Sequence, residues 1–307
     1  MRWVRFATGD GQPRLGALTA EGVHDLAAVA AGLPEDCRAA VERGDMVQWI
    51  ALAHRWREAV GAVFGRVPVR PLQQVRLLAP IPRPPKNIFC VGRNYRAHVQ
   101  ESSAFFGGSA DLPACPVFFT KAYTCIVGPG DDVRFDPEVT RQVDYEGELA
   151  VVIGRRGSGI PRERAWDHVF GFTLMNDVSA RDLQHRHHQF FKGKSLDTFA
   201  PLGPAIVDRA DVPDLAAVRL ETYVNGELRQ QASPSALIFD IPTLIHELSR
   251  GLTLEPGDII ATGTPDGVGL GFDPPRFLSD GDVVEVRMEP IGTLRNTVRS
   301  TREAGAS

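Results

Sequence analysis

The chain has 307 residues, 43% of them hydrophobic and 23% charged, the balance of an ordinary soluble globular protein with room for one large domain and one small one. A formal charge of −4 offers no basic face to nucleic acid, and an anion bound here needs local cations or a metal. No apolar run approaches the roughly 18 residues of a membrane span. The four cysteines, with no Cys-x-x-Cys spacing, suit a reducing cytoplasm.

Taken along the chain, the N-terminus alternates polar and apolar residues and reads as a strand over Trp3–Ala7, not a signal peptide. A second strand is expected over Arg14–Leu18, then helices over Glu35–Arg43 and Asp45–Phe64. The run Pro80-Ile81-Pro82-Arg83-Pro84-Pro85 cannot continue a helix and marks a connector, so we divide the chain into residues 1–75 and 76–307. Beyond it, short β-like runs alternate with Gly/Pro turns, and Asn225-Gly226 centres a hairpin signal. Helices are expected over Arg96–Ser102, Arg162–Asp167, Ala180–His188 and Ile241–Arg250. The last of these is capped by Asp240 and stopped at Gly251. The larger unit is therefore β-dominated with peripheral helices.

Five segments carry chemistry. In Val91–Glu101, His98 and Glu101 stand at i and i+3 of an expected helix. Either they form a surface pair, or the carboxylate fixes the imidazole tautomer and leaves the second nitrogen free to accept a proton from water. In Val143–Gly154, Glu146 and Glu148 project from one face of a strand, roughly 7 Å apart along the backbone. They are either solvated on an edge strand or held together by a hard cation such as Mg²⁺ or Mn²⁺. The apolar run Val169–Met175 ends at Asn176-Asp177, where a third carboxylate could join them. Lys194, in a Gly/Pro-rich stretch, is either idle in solvent or holds an anionic group. The glycine-dense turn Thr262–Gly269 lacks the Gly-Lys-Ser/Thr ending of a phosphate loop, yet its amides and hydroxyls suit a carboxylate.

In order and wording these segments resemble the fumarylacetoacetate hydrolase family from about Pro80 onward. The matching pieces are Val91–Tyr95 with His98 and Glu101, Asp144–Glu148, Asn176–Asp182, the Lys194 loop and Thr262–Gly269. The resemblance implies a β-dominated α+β fold, a mixed β-roll with a small α/β N-terminal domain, assembled as a homodimer. It implies Glu146, Glu148 and Asp177 as ligands of Mg²⁺ or Mn²⁺. His98 and Glu101 become a water-activating dyad on a lid, and Lys194 reaches the substrate or its developing oxyanion. Gln184 and Thr264 match substrate-contacting positions, and Arg93, Tyr95 and His188 complete the candidate substrate-binding set.

The implied substrates are 2-oxo and 2,4-dioxo acids. Hydrolysis of a carbon–carbon bond in an acylpyruvate is the leading reaction. Decarboxylation of oxaloacetate and isomerisation of an unsaturated 2-oxo acid are alternatives on the same site, and a silent carboxylate binder is a third. Ala122 stands where relatives commonly carry proline, and Phe190-Phe191 where many carry tryptophan and a small polar residue. Ser102–Gly108 is either a lid over an apolar substrate tail or core packing. His185-Arg186-His187-His188 is not expected to bind metal, because only His185 and His188 share a helix face. Arg181 and Asp182 are expected to brace the start of their helix.

Overall fold

The computed structural model describes residues 1–106, 111–212 and 214–301. Its backbone is a 12-stranded mixed sheet and a five-stranded sheet packed around buried Val, Ile, Leu and Phe. The strand Gly147–Ile153 is buried at every residue because it lies inside the large sheet, between Val169–Asn176 and Ile259–Ala261. An unbroken apolar run is what a strand covered on both faces requires. The Glu-x-Glu segment is thus no edge strand, and of the two alternatives the solvated one is removed.

Beyond Ile259–Ala261 come Ile88–Gly92, in parallel, and then Val117–Lys121. After Lys121 the chain turns through Tyr123–Cys125, and Ile126–Val127 pairs in parallel with Ala200–Pro201. The strand Ala200–Asp208 itself pairs with Val169–Asn176. The sheet therefore curls back toward its own middle, which is the roll.

The small sheet approaches the large one at a glycine. A Cβ on Gly147 would lie 2.0 Å from Thr222 Oγ1, so no other residue lets Leu220–Val224 pack this closely. Leu220–Val224 and Glu227–Ala232 form the expected hairpin. Asn225 and Gly226 have φ of 52° and 81°, both positive as a two-residue type I′ turn needs.

The N-terminal strand Arg2–Ala7 extends the large sheet by pairing with Ala200–Asp208. One helix was expected over Asp45–Phe64; two form, Met46–Ala51 and Ala53–Val63, and at the break the Trp49 carbonyl accepts the Trp56 indole N–H at 2.6 Å. That bond holds the Trp49 and Trp56 rings stacked at 4.1 Å, and Trp3 meets both edge-on. The Trp3 indole then donates to Asp208 Oδ2 (3.1 Å), whose other oxygen pairs with Arg57 (2.7 Å). Arg96–Phe106 is a longer helix than expected, and Arg162–His168 forms as a 3₁₀ turn.

Trp3 is the keystone of this docking, being fully buried against two rings and one carboxylate. Trp3→Ala should lower unfolding free energy by about 3–5 kcal/mol, the usual loss for a buried tryptophan. Urea titration followed by circular dichroism measures it; a loss under 1 kcal/mol would show that the aromatic cluster does not hold this face.

Candidate active site

Glu146 immediately precedes the strand Gly147–Ile153, and Asp177 immediately follows its antiparallel neighbour Val169–Asn176. Gly147 pairs with Asn176, so the start of one strand and the end of the other coincide. Asp177 N–H donates to the Glu146 carbonyl (2.8 Å) and Glu146 N–H to Asn176 Oδ1 (3.0 Å), which fixes both backbones. Strand alternation places Glu148 beside Glu146. One carboxylate oxygen from each of Glu146, Glu148 and Asp177 lies within 4.8 Å of the other two, and all three residues are buried.

Cations surround the cluster unevenly. Lys194 Nζ bridges Glu146 Oε2 (2.6 Å) and Asp177 Oδ2 (2.9 Å). Arg181 spans Asp144 Oδ2 (2.8 Å) and Glu146 Oε1 (2.7 Å), and Lys121 Nζ meets Asp177 Oδ1 at 2.6 Å. Four carboxylates (Asp144, Glu146, Glu148, Asp177) thus face three cations (Lys121, Arg181, Lys194), leaving one negative charge over. Glu148 is the carboxylate without an ion-pair partner among the described residues; its Oε2 accepts the Gly263 amide at 2.9 Å.

Ionisation follows that asymmetry. Burial opposes the charge on Glu146, but Lys194 and Arg181 outweigh it and hold the carboxyl well below its usual range. Burial, reinforced by the charges of Asp177 and Glu146, pushes Glu148 well above that range. A dry all-oxygen cluster with one carboxylate that no cation among the described residues pairs fits a hard divalent cation, whose metal–oxygen distance of about 2.1 Å spans such a spacing. The residues that would hold it are Glu146, Glu148 and Asp177.

A cavity of about 360 Å³ opens onto this cluster. His98 stands in its wall, and His98 Nδ1 lies 3.2 Å from Glu101 Oε2. A carboxylate only accepts, so the proton sits on Nδ1 and Nε2 is left as the acceptor. Glu101 is itself anchored, because its Oε1 accepts the Gly267 amide at 3.0 Å. The helix carrying the pair and the Thr262–Gly269 turn are therefore joined through one side chain.

The other candidates divide. Arg93, Gln184, His188, Lys194 and Thr264 line the cavity. Gln184 Oε1 accepts from Arg181 (3.0 Å), and Thr264 Oγ1 donates to the Gly147 carbonyl while accepting from Gln230. Tyr95 is not in the cavity wall. It is buried, bridges Leu237 through its backbone, and its ring lies where burial and Glu148 push the phenol pKa upward. His185 lines the cavity beside His188, and both lie apart from the carboxylate cluster identified as the ligand set.

Asp182 braces its helix as expected, accepting from Thr140 Oγ1 and Leu183 N–H. Arg181 does more than that: it lines the cavity, 4% exposed, with Nη2 unpartnered. Of the lid segment, the side chains of Phe105 and Phe106 and all of Gly107-Gly108 lie outside the described residues.

Sequence reasoning missed Lys121, Asp144 and Arg181. Asp144 accepts the Gly269 and Leu270 amides as well as Arg181, tying the glycine turn to the cluster. Its signal was present in the Asp-x-Glu-x-Glu spacing, and that of Lys121 in a lone lysine closing the apolar run Val117–Phe119. Backbone strain gave no sequence signal. Arg93 and His188, both non-glycine and both at φ of 57°, sit in the cavity wall, a costly conformation that clusters at functional sites.

Comparison with known proteins adds an independent line. The model of the "Fumarylacetoacetate (FAA) hydrolase C-terminal" family matches residues 87–299, and that of the "Rv2993c-like, N-terminal" family matches residues 1–80. The oxaloacetate tautomerase YisK of Bacillus subtilis is 56% identical over 227 residues, covering 74% of each chain. A fumarylacetoacetate hydrolase structure from Exiguobacterium antarcticum superposes with a TM-score of 0.80 at 42% identity, covering 98% of this chain and 99% of that one. The maleylpyruvate hydrolase of Sphingobium sp. SYK-6, solved with manganese(II) and pyruvate, gives 0.79 at 32% identity over 98% and 100% of the chains.

A ligating carboxylate must be ionised, whereas Glu148 in the metal-free chain holds its proton above the ordinary value of 4.5. Mn²⁺ binding should therefore displace up to about one proton and weaken as pH falls through the interval between that value and the raised one. Calorimetric titration in two buffers of different ionisation enthalpy reads the proton directly. Equal heats throughout that interval would show that Glu148 is already ionised.

Proposed function

Since this chain belongs to the fumarylacetoacetate hydrolase family, we propose that it is a divalent-metal-dependent enzyme interconverting the keto and enol forms of a small 2-oxo acid, oxaloacetate first among them. The observation that carries this reading is the facing arrangement of His98, with Nε2 as acceptor, and the carboxylate cluster across one cavity. The name borne by the Bacillus subtilis relative supports oxaloacetate as the substrate.

A divalent cation held by Glu146, Glu148 and Asp177 supplies Lewis acidity to the 2-oxo group. The chain's own residues do the rest. His98 Nε2 takes a proton from C3, and the C–H electron pair moves into the C2–C3 bond as the carbonyl π pair moves onto oxygen. Glu101 holds the imidazole tautomer and balances the imidazolium that forms. Lys194 and the unpartnered Nη2 of Arg181 present positive charge where the enolate oxygen gains its negative charge. Protonation on oxygen gives the enol, and protonation at C3 regenerates the ketone. Phe119 and Phe190, edge-to-face at 5.4 Å, make part of the wall apolar and limit water.

Acylpyruvate hydrolysis is the second reading, and the cavity favours it. Its 360 Å³ equals roughly a dozen water volumes, more than a four-carbon diacid fills. In that case His98 takes the proton of a water that adds to the distal carbonyl. Cleavage then leaves an enolate in the place described above.

The test is to supply oxaloacetate and acylpyruvates with Mn²⁺ or Mg²⁺, follow enol absorbance and identify products by mass. Chelator-sensitive tautomer exchange without a change in mass is the expected result. Release of pyruvate from an acylpyruvate would support hydrolysis, and CO₂ from oxaloacetate would move the assignment to decarboxylation. His98→Ala should lower kcat by about 10²–10⁴ while Mn²⁺ affinity stays unchanged. Full turnover in that variant would remove His98 from the mechanism.

A further inference from the structure

We propose that Lys121 is a positioning residue that sets the orientation of the Asp177 carboxylate for metal binding. This rests on Asp177 being a metal ligand, as read above. Lysine is almost never fully buried unless paired, and Lys121 is 0% exposed. Its ammonium donates to Asp177 Oδ1 (2.6 Å) and to the Val178 carbonyl (3.0 Å), so it grips both the carboxylate and the backbone just after it.

The two oxygens of Asp177 have different partners on different sides. Oδ2 meets Lys194, which stands in the cavity wall; Oδ1 meets Lys121, which is absent from that wall. Lys121 therefore acts through Asp177 and never on substrate. Arg181 relates to Glu146 Oε1 in a similar way, but that guanidinium also faces the cavity. The roll explains how a lysine from an outlying strand arrives here. Past Lys121, the Ala122 amide donates to Ser195 Oγ (3.0 Å), and Ile126–Val127 pairs beside Ala200–Pro201. One chain end thereby places Lys121 behind Asp177 and fastens the residue next to Lys194.

Charge and geometry make opposite predictions. As a bare positive charge, Lys121 repels a divalent cation, and removing it should tighten metal binding. As the holder of Oδ1, it prevents the carboxylate from turning away, and removing it should loosen binding. Partners behind a metal ligand commonly contribute 10–100-fold in affinity, whereas the repulsion from Lys121 is already offset by its contact with Asp177 Oδ1. Geometry wins on these magnitudes.

The experiment is Mn²⁺ titration of the full chain by calorimetry, with thermal unfolding of the metal-free protein alongside. Lys121→Met should weaken Mn²⁺ at least about tenfold, and Lys121→Gln, which keeps an N–H donor without the charge, should recover most of that loss. Unchanged or tighter Mn²⁺ binding in Lys121→Met would overturn the proposal, as would Lys121→Gln behaving like Lys121→Met. If Lys121→Met does not fold, Lys121→Met/Asp177→Asn decides. Recovery of a cooperative transition supports the pairing, because the Asp177 charge that Lys121 matched is removed together with it; continued unfolding overturns it. Asp177→Asn alone separates the two levels. Wild-type Mn²⁺ affinity in that variant would sink the metal-site reading, whereas lost affinity there with no effect of Lys121→Met would sink only the role of Lys121.

Discussion

Like charges forced together in a dry interior constrain everything else in this molecule. Glu146, Glu148 and Asp177 bring their oxygens within 4.8 Å of one another, a repulsion that neither surface water nor salt can screen. Backbone order brings them there, through the register that sets Gly147 against Asn176 and the two bonds across it, and Lys194 bridges Glu146 and Asp177. A one-residue slip of that pairing would send Glu148 to the opposite face and dissolve the cluster. The dense apolar packing on both sides of Gly147–Ile153 resists such a slip.

Compensation for that repulsion is incomplete in a useful way. Lys121, Arg181 and Lys194 pair with all of the carboxylates but Glu148, so the cluster is braced without a metal and keeps one carboxylate for the cation proposed above. Two of those cations, Arg181 and Lys194, also border the cavity. The charges that steady the carboxylates thus double as a positive environment in the cavity, suited to the anionic substrate proposed above. Under the proposed function, a net acidic chain takes an acidic substrate because the attraction is local.

Much of this was legible in the sequence because it depends on spacing along one strand or one helix. Glu146 and Glu148 share a face through strand alternation, and His98 and Glu101 meet through helical spacing. Asn225-Gly226 announced its turn. What the sequence did not disclose depends on folding across distance. Whether Glu146 and Glu148 faced solvent or a closed interior was set by both strands flanking Gly147–Ile153, and one of them, Ile259–Ala261, lies far along the chain. Arg181 looked like a helix-start residue because its partners Asp144 and Glu146 come from 37 and 35 positions earlier, across another strand. Tyr95 went the other way: its motif neighbour Arg93 lines the cavity, while Tyr95 itself is buried and its backbone bridges Leu237.

The docking of Trp3 on Asp208 joins residues 205 positions apart. At ribosomal rates of about 5–20 residues per second, roughly 10–40 s separate the synthesis of these two partners. Over that interval the aromatic cluster of Trp3, Trp49 and Trp56 can assemble and Arg76–Leu78 can pair with Arg5–Ala7, but the Arg2–Trp3 end of that same edge has no strand to pair with. Meanwhile the carboxylate-bearing strands, Gly147–Ile153 and Val169–Asn176, emerge within a few seconds of each other. The chain's opening residues are thus among the last to find their final neighbours, and a newborn chain exposes an unpaired strand edge until residues near Ile206 arrive.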